Sequence, residues 1–262
     1  MEAIFQHFRP EEKEKIIEIY SKFEIAERDY YPVLLDFLDP RERVIVDNIS
    51  GHFEDLTVEY YGGGNSGDRE RMRAVIYPSL IPIKLDVFQI TTYKIDYPEK
   101  FVNLSHRNIL GAMMSLGFDR SKLGDIVFGE SIQFAIDSKL KDYIKMELTR
   151  IKNAPIKLVE IPSEDMIQGD IETRNMTIVA SSYRIDTMVS EVLKEGRAKS
   201  KARVEKEKVK VNHSLVTNPA LNVEIGDIVS VRGFGRFIVN ELVHETRKGK
   251  YRISVKVYVE NV

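Results

Sequence analysis

Residues 196–212 read GRAKSKARVEKEKVKVN, and within this stretch the spacing of the side chains changes from a helical to a strand period. Lys199, Arg203 and Lys206 recur at i, i+4 and i+7, which predicts a helix over 198–206 with three cations on one face. The KVKVN that follows alternates apolar and polar side chains, and this alternation is typical of a strand. The stretch therefore predicts a helix with a cationic face followed by a β-strand.

The segments on either side complete a small mixed unit. An apolar stripe predicts a helix over 183–194, and Gly196 is predicted to end it. After the cationic helix, Asn212-His213 is predicted to be the turn of a hairpin. The stripe is formed by Ile185, Met188, Val189 and Val192, and further strands are predicted near 171–180, in 224–233 and over 251–259.

The basic stretch stands out against the charge of the whole chain. The formal net charge is −2, yet Lys194–Lys210 contains eight basic and three acidic residues, a local charge of +5. The rest of the chain therefore carries about −7. A basic stripe on an otherwise mildly acidic protein is the electrostatic pattern of a face that docks on a phosphate backbone.

The order of motifs in this region resembles the S-four domain, an RNA-binding module named after a ribosomal protein. The resemblance covers about 182–235 and rests on YRID, GRAKSKARV, KVKVN, TNPALNV and GDIVSVRG. It implies that the basic side chains face RNA, where phosphates and 2′-hydroxyls are contacted by shape and charge. The residues predicted to contact RNA are Arg184, Arg197, Lys199, Lys201, Arg203, Lys206, Lys208 and Asn212.

The remainder of the chain resembles the YlmH family of bacterial ribosome-associated proteins, which carry this domain at the C-terminus. The supporting stretches are DFLDPRE (36–42), YYGG with ERMRA (60–63 and 70–74) and LGFDRSKLGDIVF (116–128). The resemblance implies binding to ribosomal RNA of the large ribosomal subunit and to tRNA, including peptidyl-tRNA. It also implies a role in ribosome-associated quality control of stalled nascent chains and a link to cell division.

The middle of the chain predicts an α+β sandwich. A strand near 83–93, a helix over 105–116, two strands around Gly129-Glu130, a helix over 138–151 and a strand over 156–160 follow in that order. The order β-α-β-β-α-β is that of a ferredoxin-like fold, the plan also used by RNA-recognition domains. Ser105-His106 is interpreted as the capped start of the first of these helices, because no nucleophile elbow accompanies it.

The N-terminal region predicts a further α+β unit. Ile16, Ile19, Tyr20 and Phe23 mark an amphipathic helix over 11–26, and a second helix is predicted to start after Asp39-Pro40. Strands are predicted at 56–61 and 71–78. The predicted fold class is α+β throughout, with domains at 1–78, 79–180 and 181–262.

The Gly-rich stretch GGGNSGD between these two strands allows two interpretations. A Walker phosphate loop needs Gly-Lys-Ser/Thr at its end, whereas Gly67 is followed by Asp68 and Arg69. A flexible hairpin connection is therefore favoured. Arg69, Arg71 and Arg73 beside it are predicted as additional phosphate contacts.

Composition excludes several other classes of site. The chain of 262 residues has no cysteine, and its five histidines are scattered without metal-ligand spacing, so no metal site, disulfide or cofactor is predicted. No apolar run approaches the roughly 20 residues of a membrane helix, and no secretory signal is visible. We expect a cytoplasmic protein with no membrane partner.

YRID supports one alternative from another class. It resembles the Arg-Leu-Asp motif whose aspartate is the nucleophile of some pseudouridine synthases, and Asp186 would then be the catalyst. Only 76 residues follow Asp186, and the binding-domain pattern occupies them, so the prediction is that the chain is not an enzyme. In the other interpretation, Asp186 caps its helix or forms an ion pair with a neighbouring basic residue.

Overall fold

The structure is a computed structural model that describes residues 12–65, 69–169, 173–246 and 249–258. The chain divides into two compact units, residues 1–170 and residues 171–262. This division differs from the predicted domain boundaries at 78 and 180. Each unit is α+β, as predicted, and each has its own apolar core.

The first unit begins with two helices and a three-stranded antiparallel sheet. The apolar spacing that predicted the opening helix gives a buried stripe on α1, and the predicted start after Pro10 lies outside the described residues. Asp39 caps α2 as predicted, in a capping box with Glu42. The sheet has the order β1-β3-β2, and β1 was not predicted because VLLDFL alternates too little. The elements are α1 (Lys13–Asp29), β1 (Val33–Leu38), α2 (Pro40–Ser50), β2 (Leu56–Tyr61) and β3 (Met72–Pro78).

A four-stranded antiparallel sheet follows in the same unit. Its order is β5-β6-β4-β9, and the elements appear in the predicted order β-α-β-β-α-β. The first strand starts at Ile90, later than predicted, because Leu85–Phe88 forms a 3-10 helix. The elements are β4 (Ile90–Asp96), α3 (His106–Met114), β5 (Leu123–Val127), β6 (Ile132–Asp137), α4 (Lys141–Glu147), the hairpin β7 (Arg150–Ile151) and β8 (Ala154–Pro155), and β9 (Lys157–Ile161).

Local signals explain the ends of the helices in this sheet domain. Ser105 caps α3, since its side chain accepts from the backbone N–H of Asn108. The side chain of Asn108 in turn accepts from the backbone N–H of Ser105, which completes a capping box. Helix α4 ends at Glu147, earlier than the predicted 151, and a short hairpin takes its place. The two sheets of the unit are in contact, because Phe37 of β1 packs against Val127 and Ala135.

The second unit combines two helices with a six-stranded antiparallel sheet. The sheet has the order β10-β15-β14-β13-β11-β12, and β10 pairs with β15 along its whole length, so this strand belongs here and not to the middle domain. The long strand β14 was not predicted. The elements are β10 (Thr173–Ala180), α5 (Ile185–Leu193), α6 (Arg197–Glu205), β11 (Val209–Val211), β12 (Ser214–Leu215), β13 (Ile228–Val231), β14 (Gly235–Glu245) and β15 (Tyr251–Tyr258).

The turns of the second unit follow from backbone conformation. Asn212 and His213 have φ of 47° and 65°, the left-handed pair that a tight hairpin between β11 and β12 needs, as predicted. The prediction that Gly196 ends α5 is wrong. Lys194 ends it with φ of 52°, and Gly196 instead precedes α6 as its N-cap.

Candidate nucleic-acid interface

The start of α5 and the start of α6 meet at one buried carboxylate. Only 2% of the Asp186 side chain is exposed, and both of its oxygens accept from two guanidinium groups. Arg184 donates from Nε and Nη2 over 3.2 Å each, and Arg197 donates from Nε over 3.0 Å. The arginine side chains themselves are 39% and 53% exposed. One buried anion therefore fixes two cations whose outer faces remain open to solvent.

The sequence places these three side chains together through local structure. Arg184 is the N-cap of α5, and its backbone is held in a bridge to Asn222 of the TNPALNV segment. Asp186 lies in the first turn of the helix, where an acidic group also interacts well with the helix dipole. Arg197 is the first residue of α6, so the short connection between the helices brings it back over Asp186.

Electrostatics keeps Asp186 ionised. Burial by itself would raise the pKa of its carboxyl group, but the hydrogen bonds and charges of Arg184 and Arg197 outweigh burial and hold the pKa below its usual value. The carboxylate is thus committed to the arginines. A nucleophile would need an open approach to its substrate, and this carboxylate has none.

A second carboxylate, that of Glu195, holds cations of α6 in a similar way. Glu195 is 9% exposed and accepts from Arg203 Nε over 2.8 Å, from Lys199 Nζ over 3.3 Å and from Ser200 Oγ over 2.9 Å. Burial raises the pKa of Glu195, but the bonds from Arg203, Ser200 and Lys199 outweigh it and lower the pKa overall. The side chain of Arg203 is 24% exposed and that of Lys199 is 67% exposed, so Lys199 is the more accessible of these two cations.

The other predicted contacts lie around these two centres. Lys201 pairs loosely with Glu205 over 3.6 Å on the exposed side of α6. Lys206 and Lys208 are exposed at the end of the helix, and neither forms an ion pair within the ranges that the structure describes. Asn212 is exposed, but its side chain is bound within the hairpin. It donates to Asp227 over 2.7 Å and accepts from the backbone of Ile228.

The three arginines beside the Gly-rich stretch are not placed as predicted. Arg69 and Arg73 are each 3% exposed. Arg69 donates to the carbonyl oxygens of Gly63, Met166 and Ile167. The prediction that these two arginines contact phosphate is therefore wrong, because their donors are buried and occupied within the fold.

Arg73 and Arg71 hold the two sheets of the first unit together. Arg73 pairs with the buried Asp137 over 3.3 Å and donates to the carbonyl oxygen of Leu35. Arg71 is half-buried and donates to the carbonyl oxygens of Leu123 and Phe37. Its guanidinium group is also committed to the fold. The predicted Gly-rich turn lies partly outside the described residues, at 66–68.

The four-stranded sheet of the first unit does not offer aromatic side chains to a base. The aromatic side chains of its central strands, Tyr93 and Phe134, are buried under the helices with ring centroids 5.6 Å apart. On the opposite face Gln133 and Ala135 are also buried, and Ala135 contacts Phe37. RNA-recognition domains stack bases on aromatic side chains of the open sheet face. That mode of binding is closed to this sheet.

Neither a metal-ion cluster nor a membrane helix is found among the described residues. Within 12–65, 69–169, 173–246 and 249–258, no group of three or more histidine, aspartate or glutamate side chains is arranged to hold a metal ion. None of the helices in those ranges has the length and apolar character needed to cross a bilayer.

Comparison with known proteins identifies a family model, a curated relative and a solved structure that are similar to this chain. A family model described as "Putative RNA-binding domain in YlmH" matches residues 82–165. The "Ribosome-associated protein quality control protein P2" of Bacillus subtilis (strain 168) is 35% identical over 257 residues, 97% of this chain and 98% of the relative. A solved structure, "Cell division protein ylmH from Streptococcus pneumoniae", aligns with a TM-score of 0.51 at 26% identity and covers 60% of this chain and 94% of that chain. At 35% identity over almost the full length of the Bacillus relative, the chain belongs to the YlmH family.

Proposed function

We propose that this chain is a cytoplasmic RNA-binding protein that docks on ribosomal RNA of the large ribosomal subunit. Its second unit acts as an S-four-type RNA-binding domain at 181–262, preceded by β10. Within the first unit, residues 1–78 form an α+β segment, and the ferredoxin-like segment begins at residue 79 and ends with the unit at residue 170, not at the predicted residue 180. In this proposal the chain also contacts tRNA and takes part in quality control of stalled nascent chains, and the name of its Bacillus relative, which refers to ribosome-associated protein quality control, supports the second role.

The observation that carries the proposal is the pair of arginines fixed by Asp186. Exposed cations on flexible side chains lose conformational entropy when they bind a phosphate. Arg184 and Arg197 have lost some of that freedom already, because each is held by a buried carboxylate while its outer face is open. A guanidinium group has five donors in a planar fork, so it is able to keep its carboxylate and still donate to a phosphate.

The neighbouring cations extend this centre into a phosphate-binding surface. Lys199 and Arg203 are held by Glu195, and Lys201, Lys206 and Lys208 are exposed further along. Such a surface contacts backbone phosphates and 2′-hydroxyls and needs no base readout. It suits a structured ribosomal RNA helix better than a single strand. Asp186 is poorly suited to nucleophilic chemistry, since its oxygens are both taken by arginines.

Sedimentation of the full chain with large ribosomal subunits from Bacillus subtilis over a salt series tests the proposal. We expect Arg197→Gln to reduce affinity about tenfold, roughly 1.4 kcal/mol, with a shallower dependence of log affinity on log salt. Lys210→Gln is the matched control, because Lys210 is exposed on β11 outside the two carboxylate centres. We expect this variant to lose less than twofold in affinity for the subunits. Cross-linking and sequencing then map the contacted RNA. Failure of the wild-type chain to bind subunits at low salt would refute the proposal.

The name of the pneumococcal structure supports a link to cell division, which the family resemblance also implies. We propose that any such effect follows from ribosome binding. Cells whose only copy is an Arg184→Gln/Arg197→Gln variant should then show the same division defect as cells depleted of the protein. Normal division with that variant, alongside a defect on depletion, would separate the two roles.

A further inference from the structure

The family model that names an RNA-binding domain covers residues 82–165, whereas every cation proposed above as an RNA contact lies beyond residue 180. A binding surface on the first unit would account for this difference. In the described strands of its four-stranded sheet, the face opposite the helices carries no aromatic side chain for base stacking, and Gln133 and Ala135 on it are buried, although Lys94 on the same face is exposed. The helical side of the same sheet remains.

A basic segment lies on that side. Residues 138–157 read SKLKDYIKMELTRIKNAPIK and contain six basic and two acidic residues, a local charge of +4. Lys139, Lys141 and Lys145 are all exposed, in the 3-10 turn before α4 and on α4 itself. Lys141 and Lys145 are one helical turn apart and share a face. We call these three residues the α4 lysine patch.

The α4 lysine patch differs from the cations of α6 in its partners. On α6, Arg197, Lys199, Lys201 and Arg203 all pair with a carboxylate. Within the described residues of the chain, none of the three lysines of the patch forms an ion pair, and Asp142 beside them is exposed without one. Like charges one turn apart destabilise a helix. Their repulsion is relieved when a polyanion binds.

The other flank of α4 is occupied by the fold. Tyr143 donates from its hydroxyl group to the carbonyl oxygen of Leu116, beyond the end of α3. Ile144 is buried in the core of the sheet domain. The lysines consequently lie on the side of the helix that faces away from α3 and from the sheet, where a large partner has access.

We propose that the α4 lysine patch is a second RNA-contact surface, which binds backbone phosphates from the helical side of the sheet domain and not from the sheet face. The inference rests on the proposed function, since it assigns a contact on the first unit to the same RNA-binding protein. The partner is identified by charge: three exposed ammonium groups that form no ion pair with any described residue suit the phosphates of a structured RNA better than an apolar protein surface. Lysine acts there as a point charge and gives no base specificity.

The test compares two double variants of the full chain that remove the same charge. Lys141→Gln/Lys145→Gln changes the patch. Lys84→Gln/Lys94→Gln changes two exposed lysines of the same unit, and Lys94 lies on the face of the sheet that does not carry Tyr93. Glutamine keeps a good helix propensity at the two α4 positions, and Lys84 and Lys94 are exposed, so both variants should fold. Binding to large ribosomal subunits from Bacillus subtilis and to protein-free 23S ribosomal RNA is measured over a salt series, with thermal unfolding of each protein.

For the patch variant we expect at least about fivefold weaker binding to both probes and a log–log salt slope smaller by about 1.5, the loss of two phosphate contacts. The control variant should bind within twofold of wild type. If the patch variant binds both probes like wild type, the inference is wrong and the proposed function stands. Weaker binding to subunits alone would assign the patch to a ribosomal protein and overturn the inference. If wild type binds neither probe, the proposed function fails and the inference fails with it.

Discussion

Arg197 and Asp186 meet across the connection between α5 and α6, where Nε of Arg197 lies 3.0 Å from Oδ2 of a carboxylate that is 2% exposed. The contact joins the first turn of one helix to the first residue of the next. It links folding to binding, because the same bond that stabilises the helix pair also sets the direction of an exposed guanidinium group. Asp186 is thus a positioning residue in the proposed interface.

Replacing Asp186 by Asn separates positioning from net charge. The variant gains one unit of positive charge, so a purely electrostatic surface would bind RNA more tightly. We expect weaker binding, by about threefold to tenfold, because Arg184 and Arg197 lose the anion that orients them. The free energy of unfolding should fall by about 1–3 kcal/mol, since buried charge-assisted bonds are lost. The measurements are subunit sedimentation and chemical denaturation.

The matched control for this variant is Glu205→Gln. Like Asp186→Asn it removes one negative charge, but Glu205 lies on α6 and Asp186 on α5. Glu205 pairs with Lys201 on the exposed surface, so its loss should leave stability within about 0.5 kcal/mol and binding equal or slightly tighter. Tighter binding by Asp186→Asn as well would contradict the positioning role. A base-modification assay on ribosomal RNA accompanies both variants, and pseudouridine formation lost in Asp186→Asn would restore the enzymatic alternative.

Acid should weaken the second unit through the same carboxylate. The pKa of Asp186 in the folded protein lies below its unfolded value of about 3.9. Its contribution to the free energy of unfolding is therefore complete above about pH 5 and is lost as pH falls through the folded pKa. We expect the stability difference between wild type and Asp186→Asn to shrink as the pH falls from about 5 to about 3. Chemical denaturation at several pH values measures it, and a constant difference would show that Asp186 titrates normally.

Arg73 should matter for the fold and not for RNA. Arg73→Met removes an ion-pair partner of Asp137, which is 1% exposed and keeps Lys122 at 3.5 Å. Loss of one partner from a buried pair typically costs about 3–5 kcal/mol, and the remaining lysine reduces this to about 2–4 kcal/mol. Thermal unfolding measures the effect. Subunit binding below the transition should match wild type, and a binding defect in a fully folded Arg73→Met protein would return this arginine to the interface.

Local sequence signals predicted the helices of the second unit well. The apolar stripe from Ile185 to Val192 is a property of one segment, and α5 is found within two residues of the predicted range. The hairpin at Asn212-His213 was equally local. Gly196 misled because a glycine is common at either end of a helix, and only the observed φ of Lys194 shows which residue ends α5.

Tertiary contacts explain what the sequence did not predict. Arg69, Arg71 and Arg73 alternate along the chain, which looks like an exposed basic edge until a second sheet is placed against it. The roles of Asp186 and Glu195 also depend on the fold. The sequence left Asp186 open between a catalyst and a partner of a neighbouring basic residue, and Glu195 only lowered the local charge, whereas in the structure each carboxylate binds two cations. Pairing of β10 with β15 joins residues about 80 positions apart, and no local pattern specifies it.

The smallest fragment that retains the second unit has to include β10. A fragment starting at residue 182 keeps both helices and the whole basic stretch, but it lacks β10. All eight residues of β10, Thr173–Ala180, pair with Tyr251–Tyr258 of β15, and Ile178 and Ala180 are buried in the core of the unit. Removing them exposes one edge of β15 and apolar surface beneath it.

We therefore expect fragment 171–262 to unfold cooperatively and fragment 182–262 to be destabilised by several kcal/mol or to aggregate, as judged by circular dichroism and thermal unfolding. Fragment 171–262 should bind ribosomal RNA with the same sensitivity to Arg197→Gln as the full chain, because the Asp186 centre lies wholly within it. It should bind large subunits more weakly than the full chain, since the contacts proposed for the first unit are absent. Equal affinity of fragment and full chain would show that residues 1–170 add nothing to docking, and equal stability of the two fragments would show that β10 is dispensable for the fold.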